Sequence, residues 1–271
     1  MYVGIDIGGT KTLVAVLTNA GEIVESVKFP TPKLYSNFLL ELAHTVHHLK
    51  HKEFVAAGVA APGRIDRKHG RVIDLGNLEW TNFPLQADCE KIVKCPVIIE
   101  NDANLAGLSE AQLHKDKDKV LYVTISTGIG TGLVYKQRLN EGTLDGEGGQ
   151  IRLPYKGKIE KWEKFASGRA IYKHFGKKAA DIHDEADWRH IVRNLSLGFF
   201  ELNAVYQPDL IIVGGSIGTY FDRWGHLLQA ELQKREVPVI NIPKIVQAQR
   251  PEEAVVYGCY DLAKQVYGRH A

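Results

Sequence analysis

The chain has few cysteines, no excess of either charge, no long apolar run and none of the best-known nucleotide loops. Its three cysteines, Cys89, Cys95 and Cys259, never fall in C-x-x-C spacing. An odd count without that spacing excludes a disulfide framework and a cysteine-ligated zinc site, and it leaves the three as small buried apolar residues. The formal net charge is only +2, with Lys/Arg and Asp/Glu mixed along the chain, so no basic tail or polybasic patch offers itself to nucleic acid or a membrane surface. A strand begins almost at once, at Tyr2-Val3-Gly4-Ile5, and the expectation is a cytoplasmic protein without a leader. No G-x-x-x-x-G-K-[ST] occurs, and Gly128-Ile129-Gly130-Thr131-Gly132 does not match G-x-G-x-x-G, so the P-loop and dinucleotide-binding readings both fall.

With 44% hydrophobic and 24% charged residues, the 271-residue chain has the composition of an ordinary soluble globular protein, and disorder and membrane spanning are both disfavoured. That length suits two domains. The polar Lys/Asp run from Lys115 to Lys119 marks the junction, giving expected domains 1–116 and 117–271, with a last helix at about 252–268 packing back on the first.

Strands are expected at Val3 to Ile7, Thr12 to Leu17 and Glu22 to Phe29, with a glycine turn between the first two. Apolar positions Phe38, Leu39, Leu42, Val46 and Leu49 predict a helix over Asn37 to Lys50. Buried strands are expected at Phe54 to Ala60 and Val97 to Ile99, and a helix at Ala103 to His114. From Val120 the chain repeats its opening of strand, glycine turn and strand, which reads as a diverged internal duplication. A long helix, Trp188 to Val205, precedes the parallel-type strand Leu210 to Val213, which runs into Gly214-Gly215.

Glycine beside a strand end lets backbone N–H groups reach phosphate oxygens without a Cβ in the way. Gly8, Gly9 and Thr10 would do so in the first loop, with Lys11 adding charge and Asp6 free to hold Mg²⁺ through water. A primed hairpin turn is the purely structural alternative. Asp102, where a strand gives way to a helix, is either an N-cap or a general base for an attacking sugar hydroxyl, and the two roles are compatible. Glu147 and Glu163 are candidate acceptors for sugar hydroxyls. His44, His47, His48 and His51 recur at helical spacing and are read as the polar face of a helix, with no metal assigned.

Together these residues resemble the ROK family of sugar kinases, within the actin-like, Hsp70-like and hexokinase-like ATPase superfamily. The matching elements are Gly4-x-Asp6-x-Gly8-Gly9-Thr10-Lys11, Pro62-Gly63-x-Ile65-Asp66, Asn77-Leu78-x-Trp80, Glu100-Asn101-Asp102-Ala103-Asn104, Ser126-Thr127-Gly128-x-Gly130-x-Gly132, Gly146-Glu147-x-Gly149, Glu163, Ser167-Gly168 and Val213-Gly214-Gly215. They stand in family order across nearly the whole chain. The resemblance implies an α/β fold, actin-like and ribonuclease H-like, with two domains, duplicated mixed sheets and an interdomain cleft. It implies Asp102 as catalytic base, with Asn77, Asn101, Glu147 and Glu163 on the sugar. Gly8 to Lys11 and Thr127, Gly128 and Gly130 would face the phosphates, Gly214 and Gly215 the adenosine, and Asp6 the Mg²⁺ of Mg-ATP. A homodimer is implied as well.

Many members carry a histidine after the Gly-Glu-x-Gly element and a C-x-C-G-x-x-G-C zinc knuckle beyond it. Gln150 stands in the histidine's place here, on the sugar side, and Pro154 to Lys161 holds no cysteine, so no structural zinc is expected. The expected reaction is transfer of the ATP γ-phosphoryl to a hexose hydroxyl, the 6-OH of glucose by default. The missing knuckle also resembles the polyphosphate glucokinases of the family, and a sugar-binding regulator without catalysis is the other alternative. An actin-like ATPase without a sugar substrate ranks last, and a repressor with an N-terminal DNA-binding module is not expected, because the chain opens on the first glycine loop.

Overall fold

The computed structural model describes residues 1–75, 78, 80–250 and 252–268. The chain divides into two compact units, Met1–Ser109 with Glu252–Ala271, and Glu110–Pro251.

The first unit opens with strands β1 (Tyr2–Ile7), β2 (Lys11–Leu17) and β3 (Ile23–Pro30), followed by helix α1 (Tyr35–His48) and strand β4 (Ala56–Ala61). Three short strands, β5 (Arg64–Asp66), β6 (Arg71–Asp74) and β7 (Thr81–Phe83), make a small antiparallel sheet of their own. Helix α2 (Leu85–Val93), strand β8 (Val97–Asn101) and helix α3 (Asp102–Ala111) follow. The main sheet has the order β3-β2-β1-β4-β8, antiparallel through the two hairpins and parallel from β1 to β4 to β8. Parallel pairing brings the C-terminal ends of β1, β4 and β8 to one edge. Asp6 is in register with Ala60, Ala60 with Glu100 and Ala61 with Asn101. Strand ends of this kind are where α/β sheets present ligand-binding groups.

The second unit repeats the pattern. Strands β9 (Lys119–Ile125), β10 (Ile129–Tyr135) and β11 (Arg138–Leu139) are followed by a hairpin of β12 (Arg152–Tyr155) and β13 (Lys158–Lys161). Helices α4 (Trp162–Ala166), α5 (Gly168–Phe175) and α6 (Glu185–Tyr206) lead to strand β14 (Leu210–Gly214), helices α7 (Gly215–Gly218) and α8 (Phe221–Gln233), and strand β15 (Lys244–Gln247). The sheet order is β11-β10-β9-β14-β15, with β9 antiparallel to β10 and parallel to β14. Strand for strand this is the direction pattern of the first sheet, which bears out the duplication.

The second core is built around Trp162, Trp188 and Trp224, all fully buried. Each ring N–H donates to a backbone carbonyl, of Asn194, Ile182 and Ile217 respectively, as a buried indole requires. Gly198 on α6 makes room for the first of them: a Cβ there would stand 2.1 Å from the Trp162 ring.

Helix α9 (Ala254–Tyr267) returns to the first unit and lies across β1 and β4. This explains why β4 reads Ala-Ala-Gly-Val-Ala-Ala and is buried throughout. A Cβ at Gly58 would stand 2.2 Å from the Cys259 carbonyl oxygen, and one at Gly258 would stand 2.0 Å from that of Leu105. Small residues let α9 approach both the sheet and α3 this closely, at the cost of side-chain volume. All three cysteines are buried and unpaired, in keeping with their reading as apolar fillers. Among the described residues no helix is long and apolar enough to cross a membrane.

Candidate active site

At the edge of the first sheet, β1 ends in Asp6-Ile7 and turns through Gly8, Gly9 and Thr10 into β2. The Gly8 N–H donates to the Lys11 carbonyl at 3.1 Å, the Thr31 hydroxyl donates to the Gly8 carbonyl at 2.7 Å, and the Thr31 N–H donates to the Thr10 carbonyl at 3.0 Å. Neither Gly8 nor Gly9 adopts a positive φ, so the primed-turn explanation of these glycines falls. At Gly8 the reason for glycine is space, since a Cβ would stand 2.8 Å from the Lys11 carbonyl oxygen. Gly9, Thr10 and Lys11 are exposed at the tip.

Asp102 opens α3 directly after β8. Its neighbour takes the cap: Asn101 Oδ1 accepts from the N–H groups of Ala103 at 2.9 Å and Asn104 at 3.4 Å, the two donors an N-cap side chain satisfies. Asp102 is therefore the first helical residue. Its Oδ1 accepts from the Ala103 N–H at 2.8 Å, and no side chain among the described residues bonds to its carboxylate. Asn101 Nδ2 donates to the Gly63 carbonyl at 3.3 Å, which ties the Pro62-Gly63 loop to the same corner.

The corner is braced by Glu100, only 3% exposed. It receives a two-point contact from Arg67, at 2.7 Å and 2.5 Å, together with the Asn104 amide at 3.0 Å and the Asn101 N–H at 2.7 Å. Removing one partner of a buried ion pair strands the other charge. Arg67→Ala is accordingly expected to cost about 3–5 kcal/mol of stability, read by denaturant unfolding, whereas Glu100→Gln with Arg67 retained should cost less because Arg67 is partly solvated. Neither Arg67 nor the role of Glu100 was visible in the sequence, although Glu100 lies within a quoted motif.

Burial shapes the charges here. The pKa of Asp102 is raised by desolvation, partly offset by backbone N–H donors. Asp6 keeps part of its surface open but is closely surrounded, and burial together with the charge of Asp102 pushes it up to about 7, against the pull of Lys11 and Lys28. The structure thus brings together Asp6, Asp102, the first glycine loop and Asn101. Asn77 lies outside the described residues.

In the second unit, Ser126 at the end of β9 is a hub. Its N–H donates to the Gly128 carbonyl at 2.9 Å, its carbonyl accepts from the Gly168 N–H at 2.7 Å, and its hydroxyl accepts from the Ser216 N–H at 3.0 Å. Close approach explains the glycines around it: a Cβ at Gly168 would stand 2.6 Å from the Ser126 carbonyl oxygen, and one at Gly215 would stand 2.5 Å from that of Ile125. Gly215 also requires φ of +78°. Gly130 and Gly214 flank Thr124 in register. Beside this hub opens a cavity of about 550 Å³ whose walls include Ser126, Thr127, Gly168, Arg169, Ser216 and Tyr220. Arg169 and Tyr220 were not foreseen; the only signal was their nearness to the Ser167-Gly168 and Gly214-Gly215 elements.

Glu163, in the first turn of α4, accepts from Gln150 Nε2 at 2.9 Å. Its other oxygen lies where a Cβ at Gly128 would be 3.0 Å away, so the second glycine loop leaves room for this carboxylate. Thr131 holds the Gly146-Glu147-Gly148 segment by accepting from the Gly148 N–H at 3.1 Å. Gln150 and Glu163 are thus joined, while Glu147 is exposed on the same segment. Pro154 to Lys161 is held by the β12–β13 hairpin, turned at Lys156-Gly157 with φ of 49° and 76°, and by Tyr155 stacking on Phe165 at 4.3 Å.

Two sheets of one topology, each with a glycine turn after its first strand, define the actin-like ATPase class, and the solved structures this chain resembles include a ROK family glucokinase and a ROK family transcriptional regulator. The ROK family model matches residues 2–266, and the chain belongs to the ROK family. It is 26% identical to the glucokinase of Streptomyces coelicolor, covering 98% of this chain and 98% of that one. It is 30% identical to the N-acetyl-D-glucosamine kinase of Vibrio atlanticus, over 95% of this chain and 98% of that one. The crystal structure of a ROK family glucokinase from Streptomyces griseus in complex with glucose and AMPPNP matches with a TM-score of 0.81 at 26% identity, over 97% of this chain and 99% of that chain.

Proposed function

We propose that this protein, an ATP-dependent sugar kinase of the hexokinase and glucokinase type, passes the γ-phosphoryl group of Mg-ATP to a hexose hydroxyl. The 6-OH of glucose is the default acceptor and Asp102 is the general base. One observation carries the reading: Asn101 satisfies the α3 N-cap, so the Asp102 carboxylate, which no other side chain among the described residues engages, is left within electrostatic reach of Asp6. A base whose pKa is raised by burial is better matched to abstracting a hydroxyl proton than an ordinary surface carboxylate. In this reading Asn101, Glu147, Gln150 and Glu163 contact the sugar, with Gln150 fixing the orientation of the Glu163 carboxylate.

ATP is favoured over polyphosphate as donor by the cavity of about 550 Å³, whose walls include Ile217, Tyr172 and Tyr220 alongside Ser126, Thr127 and Gly168. A purine and ribose fill such a space; a polyphosphate has no base to place there. Asp6 suits Mg²⁺, because its crowded carboxylate makes no hydrogen bond among the described residues and lacks a compensating cation in contact. Bound there with the nucleotide, Mg²⁺ would neutralise phosphate charge. The reading includes a cytoplasmic homodimer, which light scattering tests.

The direct test is ADP release with Mg-ATP across glucose, mannose, fructose, N-acetylglucosamine and N-acetylmannosamine, with product formation also followed using polyphosphate. Sugar-dependent release with ATP is expected. Turnover with polyphosphate alone would move the donor assignment. Silence with both donors, from protein that still binds a sugar by calorimetry, would leave a sugar-binding regulator.

A further inference from the structure

A second cavity, of about 300 Å³, lies in the second unit among the β12–β13 hairpin, α4, α5 and α6. It shares no lining residue with the cavity beside Ser126. Its rim carries Lys156 from the hairpin turn, Lys164 from α4, and Lys173 and His174 from α5, with His190 from α6 inside. Among the described residues no aspartate or glutamate lines it. The imidazoles of His174 and His190 stack at 4.6 Å and 9° between planes, and the Tyr155 and Phe165 rings stack at 4.3 Å and 6°.

We propose that this cavity binds the phosphoryl group of a small phosphomonoester, held by the three lysines and His190 with its organic part against the Tyr155 and Phe165 rings. The proposal stands on this cavity alone and does not depend on the catalytic reading.

Two observations point to an anion rather than to a merely solvated basic face. His190 Nε2 is buried without a hydrogen-bond partner among the described residues, which is costly unless a ligand or water supplies one. The electrostatics agree. The pKa of His190 is lowered by its burial and by the positive charges of His174, Arg193 and Lys156, with Asp187 on its own helix pulling the other way. Like charges gathered around a cavity without a counterion store repulsion that a bound anion relieves. Three ammonium groups and a protonatable imidazole match a dianion better than a carboxylate's single charge. Phosphate in its dianionic form also has enough acceptor oxygens to engage several of these donors together. The volume leaves room for a body beyond the phosphoryl group and is too small for a nucleotide triphosphate.

The pairing of an anion with His190 should be visible in the ring itself. Proton NMR titration of the histidine Cε1–H resonances, assigned with His190→Gln and His174→Gln, would follow the His190 pKa in chloride and in inorganic phosphate or methyl phosphate at matched ionic strength. Phosphate is expected to raise the His190 pKa by about one unit, equivalent to tenfold tighter anion binding by the charged ring. In Lys164→Ala/Lys173→Ala, two exposed positions whose loss leaves the fold intact, phosphate affinity read from the same shift should fall at least tenfold. A His190 pKa that is the same in chloride and phosphate overturns the proposal. So does a phosphate shift that persists undiminished in the double variant.

Discussion

Asp102→Asn is expected to lower kcat by roughly 10²–10⁴-fold, the usual worth of a positioned general base, with the KM for sugar changed only a few-fold. The substitution keeps the shape of the side chain, and an amide oxygen can still accept from the Ala103 N–H that Oδ1 now holds at 2.8 Å. The α3 cap is untouched because Asn101 provides it. Loss of activity would therefore not be a loss of fold, and thermal melting of the variant is expected at or above that of the parent. Burial raises the pKa of Asp102, so its charged form is the disfavoured one, and a neutral amide removes that penalty. The pH profile gives an independent reading. A base must be ionised, so kcat/KM should fall as pH drops through the pKa of Asp102, at a pH above the ordinary aspartate value of about 3.9. In the variant that limb should flatten. Near-normal turnover by well-folded Asp102→Asn would remove Asp102 from the mechanism and leave positioning and charge neutralisation as the whole of catalysis.

The main elements were legible because their signals are local. Phe38, Leu42 and Val46 lie on the buried side of α1, which runs Tyr35–His48 where Asn37 to Lys50 was expected. The buried strand expected at Phe54 to Ala60 is β4, Ala56–Ala61. The helix expected at Ala103 to His114 starts one residue sooner and stops at Ala111, because its cap is set one residue upstream at Asn101. Two adjacent Asx residues at a strand-to-helix step are equally able to cap, and periodicity cannot choose between them. Only the backbone does, and here the choice matters, since it leaves Asp102 for another task. The short strands β5 to β7 were missed for the opposite reason: with three or four residues each, they show too little alternation to register. Arg67 on Glu100 joins β8 to the segment after β5 across 33 positions of sequence. Arg169 comes to the cavity beside Ser126 from α5 and Tyr220 from the turn between α7 and α8. Such contacts depend on where the chain folds back, which no window of neighbouring residues records. The glycines were the middle case. Gly8 and Gly128 were read as points where backbone approaches phosphate; neither has a positive φ, and a Cβ would stand 2.8 Å from the Lys11 carbonyl oxygen at Gly8 and 3.0 Å from a Glu163 carboxylate oxygen at Gly128.

Asp6→Asn is expected to move activity and stability in opposite directions. If Asp6 holds the cation of Mg-ATP, losing its charge removes the group that places the metal, and kcat/KM for ATP should fall by at least 10²-fold, about 2.7 kcal/mol of transition-state stabilisation. The metal-free protein should gain. Asp6 titrates at about 7 in the folded chain, against 3.8 for an ordinary aspartate, because it is crowded and faces Asp102. Between those values the folded state binds more protons than the unfolded state, so stability decreases as pH rises through the window. The contribution of the protonated carboxyl is present in full below pH 3.8 and lost above about pH 7. A shift of this size corresponds to a ceiling of roughly 4 kcal/mol, and the part of Asp6 still open to solvent brings the expectation nearer 2 kcal/mol. Thermal melting of the variant at pH 8 should then exceed the parent by about 5 °C, at roughly 2–4 °C per kcal/mol for a chain of this size, with a smaller gap at pH 5. Adding Mg-ATP should close the gap from the parent's side, because a ligand that binds only the folded state stabilises in proportion to its affinity. A parent that outmelts the variant at both pH values without nucleotide would make Asp6 a structural ion, and the assignment of the metal to it would be lost. The expected pattern is that of a site whose charges destabilise the empty fold and are retained for the ligand that compensates them.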